Sequence, residues 1–426
     1  MKRVLVVQLA RFGDLVQTKR LLKSLCAEDS TEVHLCLDSS LAALAAVLYP
    51  EVHLHPVIAH GTGLGKLSPL DQATAVLLQN RAAFQTLSAL NFERVYTLNF
   101  SPLSFRIASL FDPGCVIGHR WQGGQEVVGP WASLAMRWSS MRRLGLNIAD
   151  FWAWHHHAPV LAESVNPPAT GRGGGLGVVM AGRESRRSLP ANVLAALVAA
   201  LREVHGGCAV TLLGSASEDR AARSFLRELP ERHARACTNL CGKTDLLSLP
   251  DILSGLDLVL TPDTGTMHLA AHLGVPVLAT FLSSAWCHET GPYGLGHTIL
   301  QSVRDCSPCL ESQPCPTNVE CLLPFSEGQL SRYLATGKDQ FLPPGLQVLV
   351  PQFDAVGVTF EAKAGEDKQA DQRRAFRGFL GKHLRRTDTV PPEEAAAYAQ
   401  RLYTERDWIC ARPEQDACQY SECCEI

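Results

Sequence analysis

Asp257 to Phe281, DLVLTPDTGTMHLAAHLGVPVLATF, is the stretch whose reading decides the fold. An apolar strand over Leu258–Leu260 runs into the polar turn Pro262-Asp263-Thr264-Gly265. A helix begins there, carries His268 one turn in and ends near Gly274, and a second apolar strand, Val275–Phe281, follows at once. Strand, turn, helix and strand with such short connections make a βαβ unit, the building block of a parallel sheet. The turn sets a carboxylate, a hydroxyl and a glycine at a helix N-terminus, where backbone N–H groups lack helical partners and favour an anion, phosphate in particular. The competing reading is local: Asp263 or Thr264 only caps the helix.

Upstream the same grammar recurs. Val4–Leu9 is a strand, Arg11-Phe12-Gly13-Asp14 a turn, Leu15–Cys26 an amphipathic helix and Glu32–Leu37 the next strand. Further strands fit Val52–Val57, Val95–Asn99 and Cys115–Gly118, with helices around Leu70–Leu90 and Pro102–Leu110. The Pro/Gly-rich run Asn166–Gly175, NPPATGRGGG, reads as an interdomain linker. The pattern then restarts at Leu176–Met180 and passes through strands at Ala209–Leu213 and Ala236–Asn239 to the opening unit. Two such halves predict two doubly wound α/β domains facing across a cleft. The expected divisions are residues 1–168, a linker at 169–175, a second domain at 176–335 and an extension at 336–426. A Pro-rich run, Leu342–Pro351, opens that extension and a charged stretch follows it.

The 426-residue chain is 46% hydrophobic and 19% charged, as expected of a soluble globular protein. A net charge of −3 argues against nucleic acid as a partner. No apolar run approaches the ~20 residues of a membrane span. The opening MKRVLVVQLARFGD lacks the form of a signal peptide, which predicts a cytoplasmic chain whose 15 cysteines are mostly thiols or metal ligands.

Four motifs, in order, resemble glycosyltransferase family 9, the lipopolysaccharide heptosyltransferases and their relatives. They are LARFGDLVQT after the first strand, the stretch from Asn239 to Phe281, HETGPYG at His288–Gly294, and CSPC at Cys306–Cys309 with further cysteines. The resemblance covers about residues 1–330 and is strongest over 238–321. It implies the GT-B fold, an acceptor-side N-terminal domain and a C-terminal domain that binds the nucleotide-sugar. It further implies inverting transfer of a sugar, a heptose, from a nucleoside diphosphate such as ADP-heptose without a metal or other cofactor. The acceptor would be a glycan, lipid-linked or protein hydroxyl, in lipopolysaccharide or related glycan synthesis. Such an acceptor would bring peripheral contact at the inner face of the cytoplasmic membrane.

The candidate residues follow from position, then from the resemblance. Asp14 lies at the end of the first strand, where an open α/β sheet receives ligands, and a carboxylate there can take the acceptor's proton. Its alternative role is to cap the helix beginning near Leu15. Arg183, Arg186 and Arg187 lie on the loop after the first strand of the second half, where the family holds the donor diphosphate with a basic residue. Arginine forks suit phosphate oxygens, and here arginine replaces the family's lysine. Position alone does not separate Arg186 from Arg187. Glu218, past Leu213-Gly214-Ser215, matches an acidic residue set against the donor ribose, with a favourable helix-start acid as the alternative. Asp263, Thr264 and Gly265 match the diphosphate turn. His268 is either a donor contact or a structural histidine. Cys306, Cys309, Cys315 and Cys321 have the compact spacing of a structural zinc or iron–sulfur site, with free thiols as the alternative. His155-His156-His157 is a metal-capable tract, but consecutive residues on a helix point apart. Two other classes compete with an enzyme: a silent nucleotide-sugar-binding protein on the same fold, and a metal or redox scaffold built on the cysteines.

Overall fold

The computed structural model describes residues 1–59, 69–133, 145–180, 185–310, 313–384 and 398. The chain divides into two compact units. Unit 1 holds Met1–Met141, Ala149–Val160 and the described residues from Ala375 on; unit 2 holds Arg142–Ile148 and Leu161–Arg374.

Unit 1 is built on β1 (Lys2–Gln8), β2 (Thr31–Asp38), β3 (His53–Val57), β4 (Arg94–Thr97), β5 (Val116–Gln122) and β6 (Gln125–Val128). Their order in the sheet is β3-β2-β1-β4-β5-β6. All neighbours are parallel except β5 and β6, which form a hairpin. Leu5, Val7, Leu9, Cys36 and Val95 pack with Leu87 and Ile107 from helices Arg81–Ala89 and Pro102–Ala108. These near-continuous apolar strands are what a parallel sheet needs when both its faces are covered. The predicted helix Leu15–Cys26 is two, Phe12–Gln17 and Lys19–Cys26, joined at Thr18. Buried Arg20 of the second donates to Asp150 at 2.5 Å. A desolvated charge is tolerable only with such a partner.

Unit 2 contains β7 (Leu176–Val179), β8 (Val210–Leu213), β9 (Cys237–Asn239), β10 (Leu258–Pro262), β11 (Val277–Phe281), β12 (Thr298–Ser302), β13 (Leu346–Phe353) and β14 (Val358–Ala364). The order is β14-β13-β12-β11-β10-β7-β8-β9, parallel from β9 to β12. The expected βαβ unit is present: β10, helix Gly265–His272, then β11 directly beside β10. Strand order reverses between β1 and β4 in one sheet and between β7 and β10 in the other. Open α/β sheets bind ligands outside the carboxyl ends of strands at such switch points.

Two features differ from the sequence expectation. The Gly-rich run 169–175 is no loose linker. Thr170 N–H donates to Gly274 O at 2.9 Å and Gly174 N–H to Gly255 O at 2.9 Å. The Asp257 carboxylate accepts from the N–H groups of Gly173 and Gly175, which hold it below the usual carboxylate range. A Cβ on Gly174 would meet Gly255 O at 2.3 Å, so its glycine serves close approach rather than flexibility. The second feature lies past residue 335, where β13 and β14 add an antiparallel edge to the sheet of unit 2. Prolines hid the strand pattern here. Pairing of β12 with β13 stops at Leu349, so Pro351 faces a strand partner only on its β14 side and sacrifices no ladder bond to β12.

Candidate functional site

The clearest constellation lies in unit 2, at its switch point. β10 delivers Asp263 and the segment after β7 delivers Arg186 and Arg187, in the short turn Ser185–Arg187. The Asp263 side chain is 8% exposed, and Oδ2 accepts from Arg187 Nη1 at 3.4 Å and from Thr290 Oγ1 at 3.0 Å. His268 is buried, with Nε2 at 3.7 Å from Asp263 Oδ1. Arg187 Nε donates to Ser284 Oγ at 2.7 Å. One carboxylate thus gathers a guanidinium, a hydroxyl and an imidazole at a helix N-terminus. Asp263 is not a cap. Thr264, at the N-cap position of helix Gly265–His272, makes no side-chain capping bond; its hydroxyl lies 3.2 Å from Thr261 Oγ1. The local reading of this turn is therefore not the one realised.

Arg186 and Arg187, inseparable by sequence, part company here. Arg186 Nη1 donates to Gln313 O at 3.0 Å, beside the cysteine-rich stretch, whereas Arg187 turns to Asp263. Arg183 lies outside the described residues. The sequence reading missed Thr290 and Ser284. Thr290 sits in the quoted HETGPYG motif and could have been flagged there; Ser284 carried no signal.

Other candidates have strong local roles. Asp14, half-buried, is the third residue of helix Phe12–Gln17 rather than a cap before Leu15, because the helix begins earlier than predicted. Its Oδ2 accepts from Arg11 N–H at 3.0 Å, the reciprocal half of a capping box. Nearby, Leu9 N–H donates to Asn99 Oδ1 at 2.6 Å, joining the ends of β1 and β4 at the first switch point. Glu218 also closes a capping box, accepting from Ser215 N–H at 2.7 Å and Ser217 Oγ at 2.6 Å. Desolvation pushes its pKa up, but these hydrogen bonds outweigh it and hold the carboxyl below its ordinary value.

Cys306, Cys309, Cys315 and Cys321 are not joined in disulfides and grade from exposed to buried. Cys309 Sγ lies 3.2 Å from Ser283 Oγ, and Val319 N–H donates to Cys315 Sγ at 3.1 Å. Burial, and repulsion from the other three, push the Cys321 thiol up. The four share a neighbourhood, yet no three of their sulfurs come within 4.8 Å of one another. A tetrahedral ion with ~2.3 Å bonds to sulfur needs sulfurs about 3.8 Å apart. The arrangement described here does not fit that ion.

Comparison with known proteins bears on the same half. The family model "Glycosyltransferase family 9 (heptosyltransferase)" matches residues 176–319. Residues 176–319 are therefore similar to glycosyltransferase family 9. Among curated relatives, lipooligosaccharide heptosyltransferase 2 of Haemophilus influenzae is 37% identical over 75 residues, 18% of this chain and 22% of the relative. Lipopolysaccharide heptosyltransferase 2 of Salmonella typhimurium is 32% identical over 78 residues, again 18% and 22%. The matches thus span about a fifth of those relatives' length. Among solved structures, a family 9 glycosyl transferase from Veillonella parvula aligns with TM-score 0.53 and 15% identity, covering 70% of this chain and 86% of that one. ADP-heptose lipopolysaccharide heptosyltransferase II of Escherichia coli aligns with TM-score 0.50 and 18% identity, covering 79% and 99%. At these identities the likeness is one of fold: two Rossmann-like units, the GT-B class. The stretch matched by the family model holds the whole Arg187–Asp263–Thr290 cluster and three of the four cysteines.

Proposed function

We propose that the chain is an inverting glycosyltransferase that moves a sugar, a heptose carried by ADP, from a nucleoside-diphosphate donor to an acceptor hydroxyl. The observation that carries this reading is the Arg187–Asp263–Thr290 cluster at the β7/β10 switch point, inside the stretch matched by the family model. Arg187 and Arg186 would clamp the diphosphate, with the Thr264 hydroxyl and the N-terminus of helix Gly265–His272 as further donors. Asp263 would not bind phosphate, whose charge it repels; its role is to orient Arg187 and the turn. Glu218 keeps lone pairs for ribose hydroxyls beyond those its cap uses.

In this mechanism the acceptor oxygen bonds to the anomeric carbon as the bond from that carbon to the diphosphate oxygen breaks. The acceptor's proton passes to Asp14, and the nucleoside diphosphate leaves with the bonding pair, its charge met by the arginines. No metal enters these steps. The cysteine module is assigned a structural role beside Arg186, and a zinc or iron–sulfur occupant would require its sulfurs to close up. Among the described residues no helix is long and apolar enough to cross a membrane. We place the reaction in the cytoplasm, at the inner membrane face where a lipid-linked core oligosaccharide would be presented.

Nucleotide-sugars screened by thermal shift test the donor, because a ligand bound to the folded state stabilises it as ln(1 + [L]/Kd). Asp14→Asn should keep donor binding and lower turnover by ~10²-fold or more, the scale of lost general-base catalysis. Near-normal turnover would remove Asp14 from the mechanism, and no stabilisation by any nucleotide-sugar would remove the donor site.

A further inference from the structure

The histidine tract resolves differently from its sequence expectation. The helix that was to splay its side chains, Ile148–Ala153, ends before the tract begins. His155 turns to the preceding backbone, with Nδ1 at 3.2 Å from Trp152 O, and its ring packs edge-on to Phe151. His156 and His157 stay together, ring centroids 4.5 Å apart. His156 hydrogen-bonds Glu28, 128 residues upstream and just past helix Lys19–Cys26. One donor atom from each of Glu28, His156 and His157 lies within 4.8 Å of the others, in unit 1.

We propose that Glu28, His156 and His157 form a divalent-cation site. Two imidazole nitrogens and one carboxylate oxygen are the ligand set of a borderline ion such as Zn²⁺, with water completing the shell. His156 is buried and hydrogen-bonded, Glu28 is half-buried, and His157 is exposed. A solvent-open cavity of about 580 Å³, lined in part by Glu28, Arg94 and His157, gives the ion its entry.

The hydrogen bonds around His156 show what loading would change. His156 Nδ1 accepts from Ala158 N–H at 3.2 Å, so the ring proton is on Nε2, which donates to Glu28 Oε1 at 2.6 Å. An ion takes the place of that proton. The proton shifts to Nδ1, the long bond from Ala158 is given up, and the N···O separation opens to about 3.3 Å, the span across an ion with ~2.0–2.1 Å bonds. Arg94 also donates to both Glu28 oxygens. It shares the carboxylate's charge, so binding is weaker than the ligand count alone would give, and it holds the carboxylate in place as an outer-sphere partner.

The test must separate this site from the cysteines. The reduced full chain is titrated with ZnCl₂ by calorimetry, beside His157→Ala and a variant with Cys306, Cys309, Cys315 and Cys321 all changed to Ser. The expected result is one equivalent shared by the wild type and the serine variant, and weakened in His157→Ala by more than the roughly 10–100-fold typical of losing an outer-sphere partner. Co²⁺ bound in the serine variant should show d–d bands without the sulfur-to-cobalt band of thiolate ligation. His157 is exposed, so its variant should fold; Glu28→Gln gives a second reading in which the carboxylate charge alone is lost. Zn²⁺ binding unchanged in His157→Ala, lost only with the cysteines, or absent from the wild type overturns the proposal.

Discussion

Thr290→Val isolates one bond of the unit 2 cluster. The substitution keeps the branched shape and removes a single hydroxyl, the donor at 3.0 Å to Asp263 Oδ2. A hydrogen bond to a charged group contributes ~1.5–3 kcal/mol. Asp263's side chain is 8% exposed, so water reaches the vacated position poorly, and Arg187 at 3.4 Å is too far to take over the whole bond. The expected loss is therefore about 1.5–2 kcal/mol in urea unfolding of the chain. If Asp263 orients Arg187 for diphosphate, part of the same energy appears in ligand affinity. At 1.4 kcal/mol per tenfold, ADP binding measured by calorimetry should weaken by about 5–20-fold. Thr290→Ser restores the hydroxyl and should return both readouts towards wild type. A Val variant equal to wild type in stability and in ADP affinity, or a Ser variant as impaired as Val, would refute the claim that Thr290 positions Asp263.

Further outcomes test the surroundings. His297 is fully buried in unit 2, both ring nitrogens lack hydrogen-bond partners among the described residues, and desolvation lowers its pKa to about 4. The folded state therefore keeps it neutral while the unfolded state, near 6.5, takes a proton, so stability is full above about pH 6.5 and falls as pH drops towards 4. At pH 5 this amounts to about 2 kcal/mol, and His297→Leu should flatten the loss between pH 7 and 5 in denaturant titrations; an unchanged pH slope would count against it. In Gly291→Ala the new Cβ would lie 2.4 Å from Phe360 Cζ and 2.5 Å from Cys287 O. Buried Phe360 has little room to yield, so calorimetry should show the ~1–3 kcal/mol cost of overpacking; an unshifted Tm would mean the ring moves aside. Arg187→Ala should weaken ADP binding by at least tenfold, more than Arg186→Ala does, because Arg187 pairs with Asp263 while Arg186 donates to Gln313 O. Equal effects would return the two arginines to equivalence.

The strands and helices were legible because their causes are local. Val4–Leu9 and Leu258–Leu260 are apolar runs bounded by turn residues, and Gly274 ends a helix in the left-handed conformation that glycine tolerates. Such information sits within a few residues and predicted both α/β halves and the turn at Asp263. It was weaker where punctuation misled. Prolines 343, 344 and 351 masked β13, and the Gly-rich run suggested an interdomain linker although Gly174 and Gly175 serve close backbone contact.

The sequence also supplied the residue types of the candidate site, but not their partners. From the sequence, Asp263 or Thr264 could equally have served only as a helix cap. Only the tertiary structure turns Asp263 to Arg187, 76 residues away, and to Thr290, 27 residues away, leaving the cap unmade. Conversely Asp14 and Glu218 make local capping-box hydrogen bonds, Asp14 at the third helical position rather than at the cap expected before Leu15. Spacing placed four cysteines together, but whether their sulfurs converge depends on loop paths that spacing does not encode. His156 and His157 carried no reason to meet Glu28 until the chain between them was folded. Periodicity and turn chemistry act over one or two turns of chain. Which side chains meet at a switch point depends on the order in which strands pair, a property of the whole sheet.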